Sequence, residues 1–381
     1  MIYKKKIVFI TGTRADYGKI KSLIASLKNS KKFKPIIFAT GMHLQKLYGD
    51  TFTEIKNDFK DIPIYKLRNY KKDITMDLSL SLSIKVFNKF LFNVKPDLVI
   101  VHGDRIETLA AAICCNLNDI LLAHIEGGEV SGTVDECIRH SVTKLSHIHF
   151  VSNEKAKEIL KLLGESESSI YVTGSPEVDV MIKKDLPLIE SVKKRYEINF
   201  KEYAILILHP VVNEKKSTFA KEVKIFFESI KYSNFNYVII FPNNDKYSSV
   251  ILKEIKKLKN KKNYKTLPSM RFEYYLTLLK FANFIIGNSS SGIREAPVYG
   301  TKVINVGDRQ KNRIKNSYIS NINFSFRSII KEINKVNKVK KIKKKQYLFG
   351  NGKTVEKFLE IINSKNFWET KKKKNFVIYK K

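Results

Sequence analysis

Short continuous apolar runs alternate along this chain with longer stretches whose apolar positions recur at helical spacing. "KIVFITG" reads as a strand and "YGKIKSLIASLKN" as an amphipathic helix. "FKPIIFATG", "PDLVIVHG", "DILLAHIEGG", "HIHFVSN" and "SIYVTGSP" continue as strands, separated by helical patterns such as "SLSLSIKVFNKFLFNV", "RIETLAAAICCNL", "VDECIRHSVTKLS" and "EKAKEILKLLG". The alternation begins again at "EYAILILHP" and runs through "NYVIIFPNN", "NFIIGN" and "TKVINVG", with "SGIREAPVYG" as one of the helices between them. Strands apolar on both faces belong in parallel sheets covered on either side, and strand–helix alternation gives right-handed crossovers. The pattern predicts an α/β chain of two doubly wound, Rossmann-like domains facing a cleft. They span 1–178 and 179–350, and a closing helix with a frayed basic tail occupies 351–381.

Composition narrows the partners. The 381 residues are 43% hydrophobic and 11% aromatic, enough for two sizeable cores. No apolar run approaches the ~20 residues of a membrane helix, and the N-terminal run is too brief for a signal peptide. The expectation is a cytoplasmic protein without membrane insertion. The formal net charge of +34 invites nucleic acid. The lysines are instead spread over several runs without aromatic interleaving, and no nucleic-acid-binding motif is present, so no specific nucleic-acid partner is expected. Cys114, Cys115 and Cys137 fit no zinc or redox spacing. His147 and His149 share one side of a strand but lack a further ligand at useful spacing, which favours a structural role over a metal site.

Ligands of open parallel sheets bind beyond the carboxyl ends of the strands. Here those ends read "TGTRAD", "HGDR", "HIEGGE", "TGSPE", "HP", "FPNN", "GNSSSG" and "VGDRQ", which hold most of the polar clusters in the chain. In "IGNSSSGIREAP", Ser289, Ser290, Ser291 and Gly292 lie where a strand hands over to a helix. They offer amides and hydroxyls to a phosphate, with glycine allowing close backbone approach, and Glu295 is placed to accept from a ribose. The same residues can be an ordinary serine cap with Glu295 completing a capping box. Arg14, Lys19, Arg105, His209, Arg309 and Arg313 are the cations at strand ends, suited to a diphosphate. Asp104, Glu126, Asp135 and Glu136 are the acids suited to proton transfer. Asp135 or Glu136 with Arg139 can equally form a surface ion pair. Neither G-x-G-x-x-G nor the P-loop pattern is present.

These motifs together resemble the hydrolysing UDP-N-acetylglucosamine 2-epimerases. The likeness runs from "TGTRADYGK" through "HGDRIETLAAA", "HIEGGEVSGTVDE" and "IGNSSSGIREAP" to "YLFGNGKTVEKFLEII", nearly the whole chain. The resemblance implies a GT-B type fold with UDP held by the second domain, and a homodimer or homotetramer. It implies catalytic roles for Asp104, Glu126 and Asp135, with Glu136 adjacent. Arg14, Arg105, Arg139 and His209 match residues around the diphosphate and sugar. Ser289, Ser290, Ser291 and Gly292 match the UDP cradle, with Glu295 on the ribose and Arg313 nearby. The implied chemistry expels UDP from C1 as a carboxylate takes the C2 proton. Water then adds to the 2-acetamidoglucal and a proton returns on the other face. The scheme needs no cofactor and no metal. UDP-N-acetylglucosamine and UDP-N,N′-diacetylbacillosamine both fit as substrates; a glycosyltransferase or a non-catalytic UDP-sugar binder remains as an alternative.

Overall fold

The computed structural model describes residues 3–49, 51–68, 74–130, 134–183, 185–211, 215–259, 261–310, 318–337 and 345–379. The chain divides into two compact units. The first is built from residues up to Glu129, from Asp135 to Ile182 and from Phe349 onward; the second is Lys183–Leu348 together with Val130 and Val134.

The first unit runs β1 (Lys5–Thr11), α1 (Arg14–Leu27), β2 (Phe33–Ala39), α2 (Thr51–Asp58), β3 (Ile64–Lys66), α3 (Met76–Val94), β4 (Leu98–His102), α4 (Ile106–Leu117), β5 (Leu122–Ile125), α5 (Val134–Leu145), β6 (Ile148–Val151), α6 (Glu154–Leu162), β7 (Ile170–Val172) and α7 (Pro176–Ile182). Its seven strands are all parallel, in the order β3-β2-β1-β4-β5-β6-β7. Alternation along β1 divides the core. Ile7 and Phe9 face α1, while Val8 and Ile10 face the layer of α3 and α4 with Phe87, Leu91, Ala111 and Cys115.

The second unit runs α8 (Ile189–Arg195), β8 (Ala204–Ile207), α9 (Lys216–Tyr232), β9 (Tyr237–Ile240), α10 (Ser248–Lys256), β10 (Tyr264–Leu267), α11 (Phe272–Phe281), β11 (Phe284–Gly287), α12 (Ser291–Arg294), α13 (Ala296–Tyr299), β12 (Lys302–Val306), β13 (Ile319–Ile322) and α14 (Phe326–Asn337). Its sheet is parallel in the order β10-β9-β8-β11-β12-β13. The chain then returns to the first unit as α15 (Thr354–Asn363) and α16 (Lys365–Trp368). Phe358, Ile362 and Phe367 from these helices join the core beneath Phe150 and Tyr171.

Two expectations change. The helix read over "SGIREAPVYG" is two single turns, broken at Glu295 where Pro297 prevents a continuous ladder. The segment after α16, expected to fray, is docked on the first unit: Val377 N–H donates to Gly164 O at 3.0 Å and the Phe376 ring lies on Gly164. No helix among the described residues is long and apolar enough to cross a membrane.

In both sheets the winding reverses direction once, between β1 and β4 and between β8 and β11. Loops leaving such a pair diverge and open a crevice at the strands' carboxyl ends. The second crevice depends on close packing. Gly287 has φ +133°, and a Cβ there would meet Ile207 O at 1.9 Å. A Cβ on Gly292 would meet Val303 Cγ1 at 2.6 Å. Gly292→Ala should therefore destabilise the protein by about 1–3 kcal/mol through overpacking. Adding Val303→Ala should recover part of that loss in urea unfolding, and strictly additive costs would show that the two sites do not touch.

Candidate functional site

The first unit gathers its polar groups at the ends of β1, β4 and β5. At the end of β1 the N-terminus of α1 is closed by a capping box in which Thr13 and Asp16 each accept from the other's backbone amide. Asp16 also accepts from Gly12 N–H at 3.0 Å and from the Thr11 hydroxyl. Burial pushes its carboxyl above the usual range, against the pull of these donors. With the Thr11 hydroxyl spent on Asp16, Thr11 Oγ1 accepts from His43 Nε2 at 2.9 Å, and His43 Nδ1 accepts from Thr51 Oγ1 at 2.7 Å. Arg14, expected on a phosphate, pairs with buried Glu54 of α2 at 2.8 Å.

The loop after β4 presents Asp104 and then Arg105, which is the N-cap residue of α4. Asp104 is paired with Arg139 of α5. Arg139 is 3% exposed and also donates to Glu129 O at 2.9 Å; Glu129 in turn accepts from Ser152 Oγ at 3.1 Å. Beyond the surface pair that spacing allows within α5, Arg139 thus makes a buried pair that joins α5 to the β4 loop. Burial works against the charge of Arg139, but Asp104 and Glu129 hold its guanidinium above the ordinary value, with Glu126 and Asp135 adding to the field. Asp135 and Glu136 occupy the first turn of α5, where carboxylates suit the helix dipole, and Glu136 lies 3.8 Å from His140 Nε2.

Glu126 follows β5 with φ +72°, a left-handed backbone that costs an ordinary residue roughly 1–3 kcal/mol. It is buried, and its Oε1 accepts from Lys19 Nζ at 3.0 Å. Lys19 Nζ also lies 3.7 Å from Glu177, a fully buried carboxylate that accepts from Ser175 Oγ. Lys19, a candidate for the diphosphate, has its ammonium beside this acid pair. Among the described residues, His102, Glu126 and Glu177 are the one group of three potential metal ligands, with donor atoms within 4.8 Å of one another. Lys19 already supplies a cation there. His147 and His149 have separate partners, Leu122 N–H with Lys372 O for the first and Glu165 for the second.

In the second unit, Asn288 ties the ends of β8 and β11. Its Oδ1 accepts from His209 N–H at 2.7 Å and its Nδ2 donates to His209 O at 2.9 Å. His209 Nδ1 accepts from Asn243 N–H at 3.1 Å. The neutral ring therefore carries its proton on Nε2 as a donor. Arg309 and Gln310 both donate to Asn288 O, at 3.2 and 3.1 Å. Of the capping alternative only a part is present: Ser289 Oγ accepts from Ser291 N–H at 3.3 Å, while Ser290, the N-cap of α12, makes no side-chain cap bond. Nor are all three hydroxyls presented together. Ser291 is buried and bonded to the Tyr275 hydroxyl, while Ser289 and Ser290 are half-buried. Gly292 is required by the packing on Val303, and α12 is too short to sum a large dipole. Glu295 is buried beside Tyr275 and Tyr299; burial first, and then the Glu295 charge, push both phenols up. Arg313 lies outside the described residues.

Asp16, Glu107, Glu129, Glu177, Asn288 and Gln310 were not singled out from the sequence. Glu177 had a signal, since it follows "TGSP" at a strand end. Glu107 did not: its carboxylate fills the space between the β1 and β2 loops, 2.7 Å from where a Gly41 Cβ would stand.

Two buried imidazoles carry a pH consequence. Burial lowers His43 to about 3, helped by the Arg14 charge, and lowers His124 to about 3. Unfolded, each titrates near 6.5. Between about pH 6.5 and 3 the unfolded chain binds more protons, so stability should fall as pH falls through that window. Ring-nitrogen NMR at pH 5 should find both neutral, with a single N–H each, in the folded protein, and doubly protonated rings at that pH would defeat the assignment.

Comparison with known proteins accords with this geometry. The sequence model of the family described as UDP-N-acetylglucosamine 2-epimerase matches residues 25–363. A UDP-N-acetylglucosamine 2-epimerase of Neisseria meningitidis serogroup B is 39% identical over 98% of this chain and 99% of its own length. A UDP-N,N′-diacetylbacillosamine 2-epimerase (hydrolyzing) of Legionella pneumophila is 33% identical over 94% of this chain and 96% of its own. The Methanocaldococcus jannaschii UDP-GlcNAc 2-epimerase, solved in complex with UDP-GlcNAc and UDP, superposes with a TM-score of 0.78 at 24% identity, covering 94% of this chain and 99% of that one; it shares the two-unit GT-B type fold. By the extent of the family match and the identity to the Neisseria protein along nearly the whole of both chains, this chain belongs to the UDP-N-acetylglucosamine 2-epimerase family.

Proposed function

We propose that the protein is a hydrolysing 2-epimerase that converts UDP-N-acetylglucosamine and water to N-acetylmannosamine and UDP, for sialic-acid-type nonulosonate synthesis. The observation that carries this reading is the pair of carboxylates after β4 and β5. Asp104 and Glu126 are each paired with a buried cation, Arg139 and the Lys19 that Glu126 shares with Glu177. Such pairs keep carboxylates oriented at the edge of a sheet, where proton transfer to and from a sugar carbon needs them.

The C2–H bond is weakly acidic, so departure of the diphosphate must lead. Leaving-group charge is stabilised by donors that are already oriented. His209 is one, with Nε2–H set by its bond from Asn243; Ser289, Ser290 and Arg105 are the others. Glu295 accepts from the ribose. Asp104 or Asp135 takes the C2 proton as UDP leaves C1, and the resulting 2-acetamidoglucal adds water at C1. Glu126 handles the returning proton or the water. Glu136 and Arg139 hold the α5 side of this set, and Arg14 and Lys19 are substrate-binding cations, steadied by Glu54 and Glu126. Gly292 and Arg313 belong to the UDP-binding segment. The assembly carried over with the family is a homodimer or homotetramer, working in the cytoplasm.

A second substrate, UDP-N,N′-diacetylbacillosamine, is favoured by the name of the Legionella relative. The two sugars share UDP and the 2-acetamido group and differ at C4 and C6. Incubating the protein with each in deuterated water, with proton NMR of the products, separates the possibilities. Free manno-configured sugar deuterated at C2, together with UDP, is the expected product; UDP-N-acetylmannosamine would instead identify a non-hydrolysing enzyme.

Asp104→Asn should lower kcat by about 10²–10⁴-fold, the usual worth of a positioned general base, with UDP affinity retained. Turnover unchanged from the unmodified protein would remove Asp104 from the mechanism. Ser289→Ala with Ser290→Ala should weaken UDP binding by about tenfold or more, since bonds to charged oxygens are worth roughly 1.5–3 kcal/mol each. Ser291→Ala should instead act on stability, because it strands the buried Tyr275 hydroxyl at a cost of about 1–3 kcal/mol. Calorimetric UDP titration and urea unfolding distinguish these two classes.

A further inference from the structure

The segment 371–379 converges on one buried carboxylate. Glu165, 2% exposed, accepts from three donors, two of them ammonium groups: Lys144 Nζ at 2.7 Å, His149 Nε2 at 3.0 Å and Lys374 Nζ at 2.6 Å. Burial opposes its charge, yet the His149 bond and the two ammonium groups hold its carboxyl down at about 2. Its backbone oxygen accepts from the Tyr379 hydroxyl at 2.8 Å. Phe376 lies against Gly164 and under Lys144 Nζ, 4.9 Å from the ring centre, and Lys372 O accepts from His147 at 2.8 Å. This is a built attachment, with a hydrogen-bonded centre and an apolar anchor.

What it attaches to is the last turn of α5. Lys374 Nζ donates to Thr143 O at 3.2 Å, and Lys144 shares Glu165 with it. Thr143 continues the connection. Its hydroxyl donates to His124 Nδ1 at 3.1 Å, because His124 Nε2–H is committed to Gly103 O at 2.8 Å. Gly103 precedes Asp104. The other end of α5 carries Asp135, Glu136 and Arg139, and Arg139 grips Asp104. A helix of this length moves as a body, so fixing its last turn fixes the position of its first.

We propose that Lys374 and Glu165 are positioning residues: segment 371–379 clamps the last turn of α5 and thereby sets where Asp135, Glu136 and the Arg139–Asp104 pair stand. The catalytic consequence rests on the proposed epimerase reading; the mechanical one does not.

The test uses the full chain with Lys374→Met, Lys374→Arg and the milder Tyr379→Phe, should the first fold poorly. In Lys374→Met, kcat should fall roughly ten- to a hundredfold, the cost of a small misplacement of reacting groups, while KM, UDP affinity and UDP stoichiometry stay unchanged. Lys374→Arg should restore kcat, and Tyr379→Phe should fall between. A loss of UDP stoichiometry equal to the loss of kcat would reduce the clamp to general stability and overturn the proposal. Amide hydrogen exchange over residues 134–139 gives a readout independent of activity. It should quicken at least fivefold in Lys374→Met and return to normal in Lys374→Arg; unchanged exchange overturns the proposal. No turnover of UDP-N-acetylglucosamine by the unmodified protein would refute the functional reading alone, with the exchange result still deciding the clamp.

Discussion

A parallel sheet that winds outward from its middle must part its loops at one place, and in this chain everything polar depends on that constraint. In the first unit the parting lies between β1 and β4, and in the second between β8 and β11. The strands themselves are committed to the core, with Val8, Phe9, Val99 and Ile100 buried on both sides. Polar side chains inside the strands are few and individually hydrogen-bonded, as His124 and His149 are, and the others collect just past the strand ends. The capping box of α1, the Asp104 loop, the bend at Glu126 and the Asn288 brace are four answers to the same question, how a chain leaves a buried strand without stranding its amides.

A second constraint acts on the charges so collected. A buried ion is costly unless paired, and removing one partner leaves the other uncompensated. Asp104 with Arg139, and Glu126 and Glu177 with Lys19, meet that requirement by joining elements distant in sequence. The same pairing makes the two carboxylates orientable. It also explains why Arg139 reaches beyond its own helix: a pair on the surface of α5 is worth little, whereas Asp104 gives the buried guanidinium a partner.

The architecture was legible because parallel strands buried on both faces leave uninterrupted apolar runs and their helices leave a periodic pattern. The acids after "VHG" and "AHI" were legible for the same reason, as polar residues at strand ends. What stayed hidden was pairing at a distance. Spacing offered Asp135 to Arg139, but the choice of Asp104 depends on how α5 lies against β4. The serine stretch shows the opposite limit. Its three hydroxyls look equivalent in sequence, yet Tyr275 takes one of them and Val303 accounts for the glycine that follows. The helix α14 had an apolar stripe, Ile329, Ile333 and Val336, that the lysine-rich surroundings obscured.

The return of α15 and α16 to the first unit bears on how the protein is made. Phe358, Ile362 and Phe367 complete the face of the first sheet that carries Phe150 and Tyr171. These residues leave the ribosome only after all of Lys183–Leu348 has been synthesised. During that interval the second unit has its entire core available and the first does not. A nascent chain therefore cannot complete the core of its earlier unit until its later unit has been made, and until then part of an apolar face lacks its last helices, a stage at which exposed apolar surface favours aggregation.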